Sequence, residues 1–409
     1  MGGSLAFLLG SGISCGAGLP STGEITKDVF AAVGPARESH DPAQRRALAT
    51  FLAALRQETR AYRAKIGRPS AYNYEDLYFL AASLWTSMVG EFDNPAVEPF
   101  IAKLKEARGL RRFLSARHSS LWDGSEDDDS RWRLKALAIQ ACDLIQEVVV
   151  RALSRSPSRA LDPNGMFRAA ADSDFSAIDI FTLNHDLLLE RVLEEAGVDF
   201  ADGFASTLPE LPTIRFWDPR SYDDSEARVS YFKLHGSLDW WSYPMLLTGI
   251  APPCKVEGDP NHVPDSRSGK YRDWLMPPDR VLLVGTMNKL LMQARGDHFL
   301  DLLCLFRNRL RRCSRLVISG YGFGDKSING VILDWIARPG NTCAWIVPRP
   351  MNTVRAARPA FAAFIRAGTR HQVKLIRAGF QEVTWADVQE ELETPNSARD
   401  LRWFEGRLK

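Results

Sequence analysis

Short apolar runs punctuate the chain at Leu5–Leu9, Ile178–Leu183, Tyr231–Leu234, Val281–Val284, Leu316–Ser319, Ala344–Val347 and Val373–Ile376. Several show little polar alternation, which is the pattern of strands buried on both faces of a parallel sheet. Helical patterns follow several of these runs, at Thr22–Val33, Asp186–Glu195 and Lys326–Ala337. This strand–loop–helix repetition predicts an α/β fold with a doubly wound, Rossmann-like parallel sheet.

Between the first run and the second, Gly34 to Asp174 carries no strand signal. Apolar residues there recur at helical spacing over Ala43–Tyr62, Leu77–Val89, Val97–Leu114 and Trp132–Leu153, so a large helical insertion is expected. The reading is a sheet domain from residues 1–33 and 175–380, an inserted helical module at 34–174, and a helical C-terminal tail at 381–409. The acidic stretch Asp123–Asp129 reads as a solvated loop. Ser242–Pro278, rich in Pro, Gly and Asp, reads as a second, loop-like insertion.

A hydrophobic content of 45% with 25% charged residues excludes disordered and fibrous classes. The net charge of +2 creates no whole-protein field that would demand nucleic acid or an anionic membrane. The six cysteines form no C-x-x-C pair, so neither a zinc site nor a disulfide framework is expected, and the thiols read as buried or inert in a reducing cytosol. Leu5–Leu9 lacks the basic flank of a signal peptide, Ala6 breaks the myristoylation pattern, and no run approaches a membrane span. A cytoplasmic location away from membranes is the expectation. The basic cluster Arg307–Arg315 reads as the solvated face and last turn of a helix, where positive charge suits the dipole. Direct nucleic-acid binding is not expected.

Four motifs carry candidate chemistry. In Phe7–Thr22 a strand runs into a glycine-rich turn, followed by a helix with capping-box spacing at Ser21 and Glu24. Gly10, Ser11, Gly12 and Ser14 are placed to let backbone N–H groups approach a diphosphate. Gly12-Ile-Ser14-Cys-Gly16 also matches the nucleophile elbow of serine hydrolases. That reading fails because only one strand precedes it and Pro20 puts the helix start well after Ser14. The second motif, Ile180–Glu190, is a strand ending in Thr182-Leu-Asn184-His-Asp186, where Asn184 or Asp186 either caps a helix or faces a ligand at the carboxyl end of the sheet. The third, Tyr231–Ser237, ends a strand in His235-Gly236 and offers a general base. The fourth, Leu316–Asp325, is a strand followed by Ser319-Gly320-Tyr321-Gly-Phe-Gly-Asp325, a loop able to approach a ribose or phosphate.

In this order the motifs resemble the sirtuin superfamily: its N-terminal glycine loop, its T-x-N-x-D signature, its catalytic His-Gly and its adenosine-ribose loop. The resemblance covers the sheet-forming parts of residues 1–30 and 176–380. It implies NAD as substrate and cleavage of the bond between nicotinamide and ribose; no metal is expected, because no cluster of Cys or His has metal-ligand spacing. Carried over, Asn184 would hold the reactive ribose and water, Asp186 the nicotinamide carboxamide, and His235 would act as base, while the glycine loop and Ser319, Gly320 and Tyr321 would hold the rest of the dinucleotide.

Three departures separate the chain from protein-deacylating members. Ser21-Thr22-Gly23 stands where they carry Asp-Phe-Arg, Cys254 stands alone where four zinc cysteines often sit, and Leu283–Lys289 replaces their peptide-pairing strand. The resemblance therefore implies NAD hydrolysis to nicotinamide and ADP-ribose. The alternatives are an NAD-dependent deacylase or ADP-ribosyltransferase, and a non-catalytic NAD or ADP-ribose binding module. It extends to sirtuin-like effectors of bacterial anti-phage systems, which implies a homo-oligomer and a HerA-like ATPase or short Argonaute as partner.

Overall fold

The structure, a computed structural model, describes residues 3–33, 42–66, 72–90, 94–115, 126–245, 249–250, 252–272, 274, 277–282, 284, 298–367 and 372–393. The chain divides into two compact units. One comprises Met1–Leu19, Ser154–Leu283 and Asn288–Lys409; the other comprises Pro20–Leu153 with Val284–Met287.

The first unit is built on a parallel sheet of seven strands. Their spatial order is Val373–Ile376, Thr342–Ile346, Arg315–Ser319, Ser4–Leu9, Ala177–Thr182, Val229–Lys233 and Phe200–Ala201. Leu5–Leu9 are wholly buried, as a central strand covered on both faces requires. Successive side chains point to opposite faces. Ala6 and Leu8 join Leu302, Phe306 and Leu310 of the helix His298–Arg312 and Ile332 and Trp335 of the helix Lys326–Ile336. Phe7 points the other way, its ring 5.6 Å from Phe167 and 6.3 Å from Trp385, on the helices Met166–Ala171 and Trp385–Glu393. The sheet is therefore doubly wound, as the apolar runs imply. Beyond Glu393, the expected C-terminal tail lies outside the described residues.

One run belongs elsewhere. Asp279–Leu282 pairs antiparallel with Gly236–Ser242, in a second sheet of five strands that continues through Cys254–Val256, Leu211–Trp217 and Phe204–Leu208. In that edge strand Leu282 alone is fully buried, and a short apolar run does not reveal which sheet it joins. Nor is Ser242–Pro278 simply loop. Cys254–Val256 sits inside the second sheet and Pro264–Asp265 pairs with Lys270–Tyr271. A small core of Leu211, Ile214, Tyr243, Cys254 and Val263 lies beneath. Prolines and glycines disguise strands this short.

Three local expectations change as well. Ser11–Gly16 is a short helix directly after the first strand, not an open turn. Gly18, at φ +99°, then turns the chain, and Ser21 and Glu24 form the expected capping box ahead of Thr22–Ala32. In the second unit, Val97–Leu114 breaks at extended Ala107 into Val97–Glu106 and Arg108–Leu114. Glu126–Asp129 are not loop: they open the long helix Glu126–Leu153. All regular elements described in this unit are helical, with Phe51, Leu55, Leu77, Leu134 and Ile145 in its interior.

Candidate functional site

In an open parallel sheet, the ligand crevice lies beyond the carboxyl ends of the strands where the connection order reverses. Here the reversal falls at Ser4–Leu9, flanked by Ala177–Thr182 on one side and Arg315–Ser319 on the other. The loops leaving those three strands carry Gly10–Ser14, Asn184–Asp186 and Gly320–Asp325, and His235 follows the next strand, Val229–Lys233.

Asn184 is more than nine-tenths buried. Its backbone N–H donates to Thr182 Oγ1 at 3.1 Å, and its side-chain Nδ2 donates to Gly10 O at 3.3 Å and Ser14 Oγ at 3.0 Å. A main-chain carbonyl only accepts, so the contact with Gly10 fixes which end of the amide is nitrogen. That leaves Asn184 Oδ1 buried and without a hydrogen-bond partner among the described residues. An unpaired buried oxygen is costly, and this one suits a ligand or water that donates to it.

Ser14 Oγ donates onward to Asp186 Oδ2 at 2.9 Å, while Asp186 Oδ1 accepts from Leu188 N at 3.2 Å. Asp186 thus ties down the start of the helix Leu188–Glu195, the capping role weighed from the sequence, and it also anchors the Ser14–Asn184 pair. The contacts of Ser14 are with Asn184 and Asp186, and no hydrogen bond joins it to a histidine among the described residues. The helix begins at Ser11, contrary to the reason drawn from Pro20, but the missing base still argues against a serine hydrolase.

His235 is equally buried, and its Nε2 faces Asp325 Oδ2 at 3.2 Å. Asp325 is the N-cap of Lys326–Ile336, with Oδ1 accepting from Ser327 N at 2.8 Å and Ile328 N at 3.2 Å. The cap holds the carboxylate rigidly and turns its other oxygen to the imidazole. A proton on Nε2 shared with Asp325 makes Nδ1 the basic nitrogen, and the carboxylate stabilises the imidazolium formed by proton uptake. The sequence shows Asp325 only as the end of the glycine-rich loop; nothing local reveals that it reaches His235. His185, also unremarked in the sequence, lies with its ring centroid 6.3 Å from that of His235 and its Nδ1 3.3 Å from Gly236 O.

The glycines behave differently. Gly10 N donates to Ser319 O and Gly12 N to Gly320 O, each at 2.9 Å. A Cβ on Gly10 would fall 2.7 Å from Gly320 O, and one on Gly12 2.7 Å from Gly320 Cα. Gly320 itself has φ +67°. These glycines allow two backbones of the same protein to touch, and two N–H groups expected to face a diphosphate are used by the neighbouring loop. Ser11 and Gly12 remain exposed at the surface. Ser319 Oγ donates to Ile346 O at 3.5 Å, and Tyr321 Oη donates to Asn329 Oδ1 at 2.8 Å, so both polar side chains engage the protein.

Among the described residues no group of three or more His, Cys, Asp or Glu side chains could hold a metal ion. Burial pushes the thiols of Cys254 and Cys313 up to about 12, which keeps them protonated. Apart from Val284, Leu283–Lys289 lies outside the described residues. Arg307–Arg312 of the basic cluster end the helix His298–Arg312 while Arg315 opens the strand Arg315–Ser319, and Arg309 is not solvated as expected but largely buried, 2.8 Å from Asp223. No helix among the described residues is long and apolar enough to cross a membrane.

No curated protein matches the chain. A family model, that of the SIR2-like domain, matches residues 179–366. This span includes Asn184, Asp186, His235, Asp325 and the Ser319–Tyr321 loop, and leaves Gly10–Ser14 outside. With its parallel sheet and the Asn184 and His235 loops at one end of it, the chain carries a SIR2-like domain over residues 179–366.

Proposed function

We propose that the chain hydrolyses NAD to nicotinamide and ADP-ribose. The observation that carries this reading is the pair at the sheet end: Asn184, with a buried oxygen lacking a partner among the described residues, and His235, backed by the Asp325 carboxylate. When bound, NAD supplies a labile nicotinamide–ribose bond whose breaking leaves positive charge on the ribose. Asn184 Oδ1 suits a ribose hydroxyl or the attacking water and lends its dipole to that charge. Ser14 and Asp186 keep the amide from turning. His235 accepts the proton of the hydroxyl or water, and Asp325 stabilises the resulting imidazolium.

Water as acceptor is favoured by Ser21-Thr22-Gly23 in place of Asp-Phe-Arg and by a solitary, buried Cys254 where deacylases often carry zinc ligands. The proposal extends, on resemblance alone, to NAD depletion in anti-phage defence by a cytoplasmic homo-oligomer, triggered by a separate partner such as a HerA-like ATPase or short Argonaute. The test is to incubate the purified chain with NAD, alone and with such partners, and to chromatograph the products. Nicotinamide and ADP-ribose are expected without any acyl-peptide. Strict dependence of nicotinamide release on an acetyl-lysine peptide would instead establish a deacylase, and NAD binding without any turnover a binding module.

A further inference from the structure

Lys233 is among the most deeply buried side chains in the protein, 2% exposed, and stands two positions before His235. An ammonium is buried only when its charge and its donors are matched. Here Nζ donates to Glu190 Oε1 and to the main-chain oxygen of Asp186, both at 2.6 Å. Glu190 lies one turn into the helix Leu188–Glu195 and is itself buried. Burial pushes its carboxyl up, and the Lys233 and Lys255 charges oppose that. One side chain therefore spans from the strand that leads into His235 to the turn that carries Asn184 and Asp186. Backbone contacts run alongside, Leu234 N to Thr182 O at 2.9 Å and Leu238 N to His185 O at 3.0 Å. Among the described residues, Lys233 supplies the side-chain donor that grips Asp186 O, inside the turn itself.

We propose that Lys233 is a positioning residue, a buried strut that holds the Asn184–Asp186 turn in register with His235, with Glu190 as its counter-charge. An apolar pair of similar size would stabilise the fold as well or better, so stability alone does not call for this ion pair. Holding a main-chain carbonyl beside the reacting groups does call for a buried donor. The catalytic part of the inference rests on the hydrolase reading above.

The test compares Lys233→Met, Glu190→Gln and the double variant in the full chain. It reads kcat and KM for NAD, melting temperature, and amide hydrogen exchange across residues 183–190. Lys233→Met should melt early, because Glu190 is left buried without its cation, and should lose at least about tenfold in kcat through misplacement of the turn. Glu190→Gln keeps the grip on Asp186 and should lose less. The double variant decides. Melting should return toward wild type while kcat stays down by about tenfold or more, with KM for NAD little changed and exchange in 183–190 still fast. Recovery of kcat to within about twofold along with the melting temperature would reduce the pair to a structural ion pair and overturn the proposal. If the wild type cleaves no NAD, the hydrolase reading falls by itself. Exchange then still judges the strut, since wild-type protection of 183–190 in the double variant would sink it.

Discussion

Two loop clusters meet at the carboxyl end of the same sheet and treat their atoms in opposite ways. At Gly10, Gly12 and Gly320, backbone packs on backbone and N–H groups go to neighbouring carbonyls. At Asn184, Ser14 and Asp186, side chains hold one another yet leave Asn184 Oδ1 with no partner among the described residues. Both clusters look like ligand contacts in the sequence. A glycine signals that something comes close without saying what, and here the neighbour is the protein itself. A buried polar atom with no partner among the described residues carries more information about a ligand, because the fold gains nothing from leaving it so.

The strongest way to break this contrast is to remove the reacting groups. His235→Ala and Asn184→Ala should each lower NAD turnover by a hundredfold to ten-thousandfold, about 3–5 kcal/mol of barrier. The melting temperature should fall far less in proportion. Near-normal rates in either variant would take that residue out of the mechanism.

Gly12→Val probes the other cluster. Its Cβ would lie 2.7 Å from Gly320 Cα, and backbone cannot give way as a side-chain tip can, so a loss of about 3 kcal/mol of stability is expected. Because the clash is internal, the rise in melting temperature on adding saturating NAD should persist in the variant. A variant that melts like wild type but loses the NAD increment would reverse the comparison and make the glycine a ligand contact.

Asp179 sharpens the meaning of a buried oxygen without a partner. It lies on Ala177–Thr182, upstream of Asn184, with Oδ1 in no hydrogen bond among the described residues and Arg309 at 3.8 Å. Burial raises its carboxyl to about 6, against the opposing charges of Arg309 and Arg312. A folded-state value above the unfolded one means that the protonated form favours folding. That stability is complete below about pH 4 and is lost as the pH rises through about 6, roughly 2–3 kcal/mol in all. Asp179→Asn should flatten this slope in melting curves between pH 4 and 7 and leave the NAD increment intact. If the increment disappears instead, lack of a partner in this sheet does not distinguish cost from function.

Read alone, the sequence determined the parallel sheet and the residues at its carboxyl end. Runs such as Leu5–Leu9 admit one physical solution, burial on both faces, and Thr182-x-Asn184-x-Asp186 and His235-Gly236 stand directly at strand ends. The second sheet stayed hidden because its strands are short, half-buried or interrupted by proline and glycine, so periodicity has too few residues to register. Only the tertiary structure decided the partners. Asp325 reads as the end of a glycine-rich loop until the fold brings its carboxylate to His235, and Lys233 reads as one polar residue in an apolar strand until Glu190 and the Asp186 carbonyl close around it. Periodicity reports whether a side chain leaves water. Which atom replaces the water depends on chain segments far apart in sequence, and no local pattern encodes that.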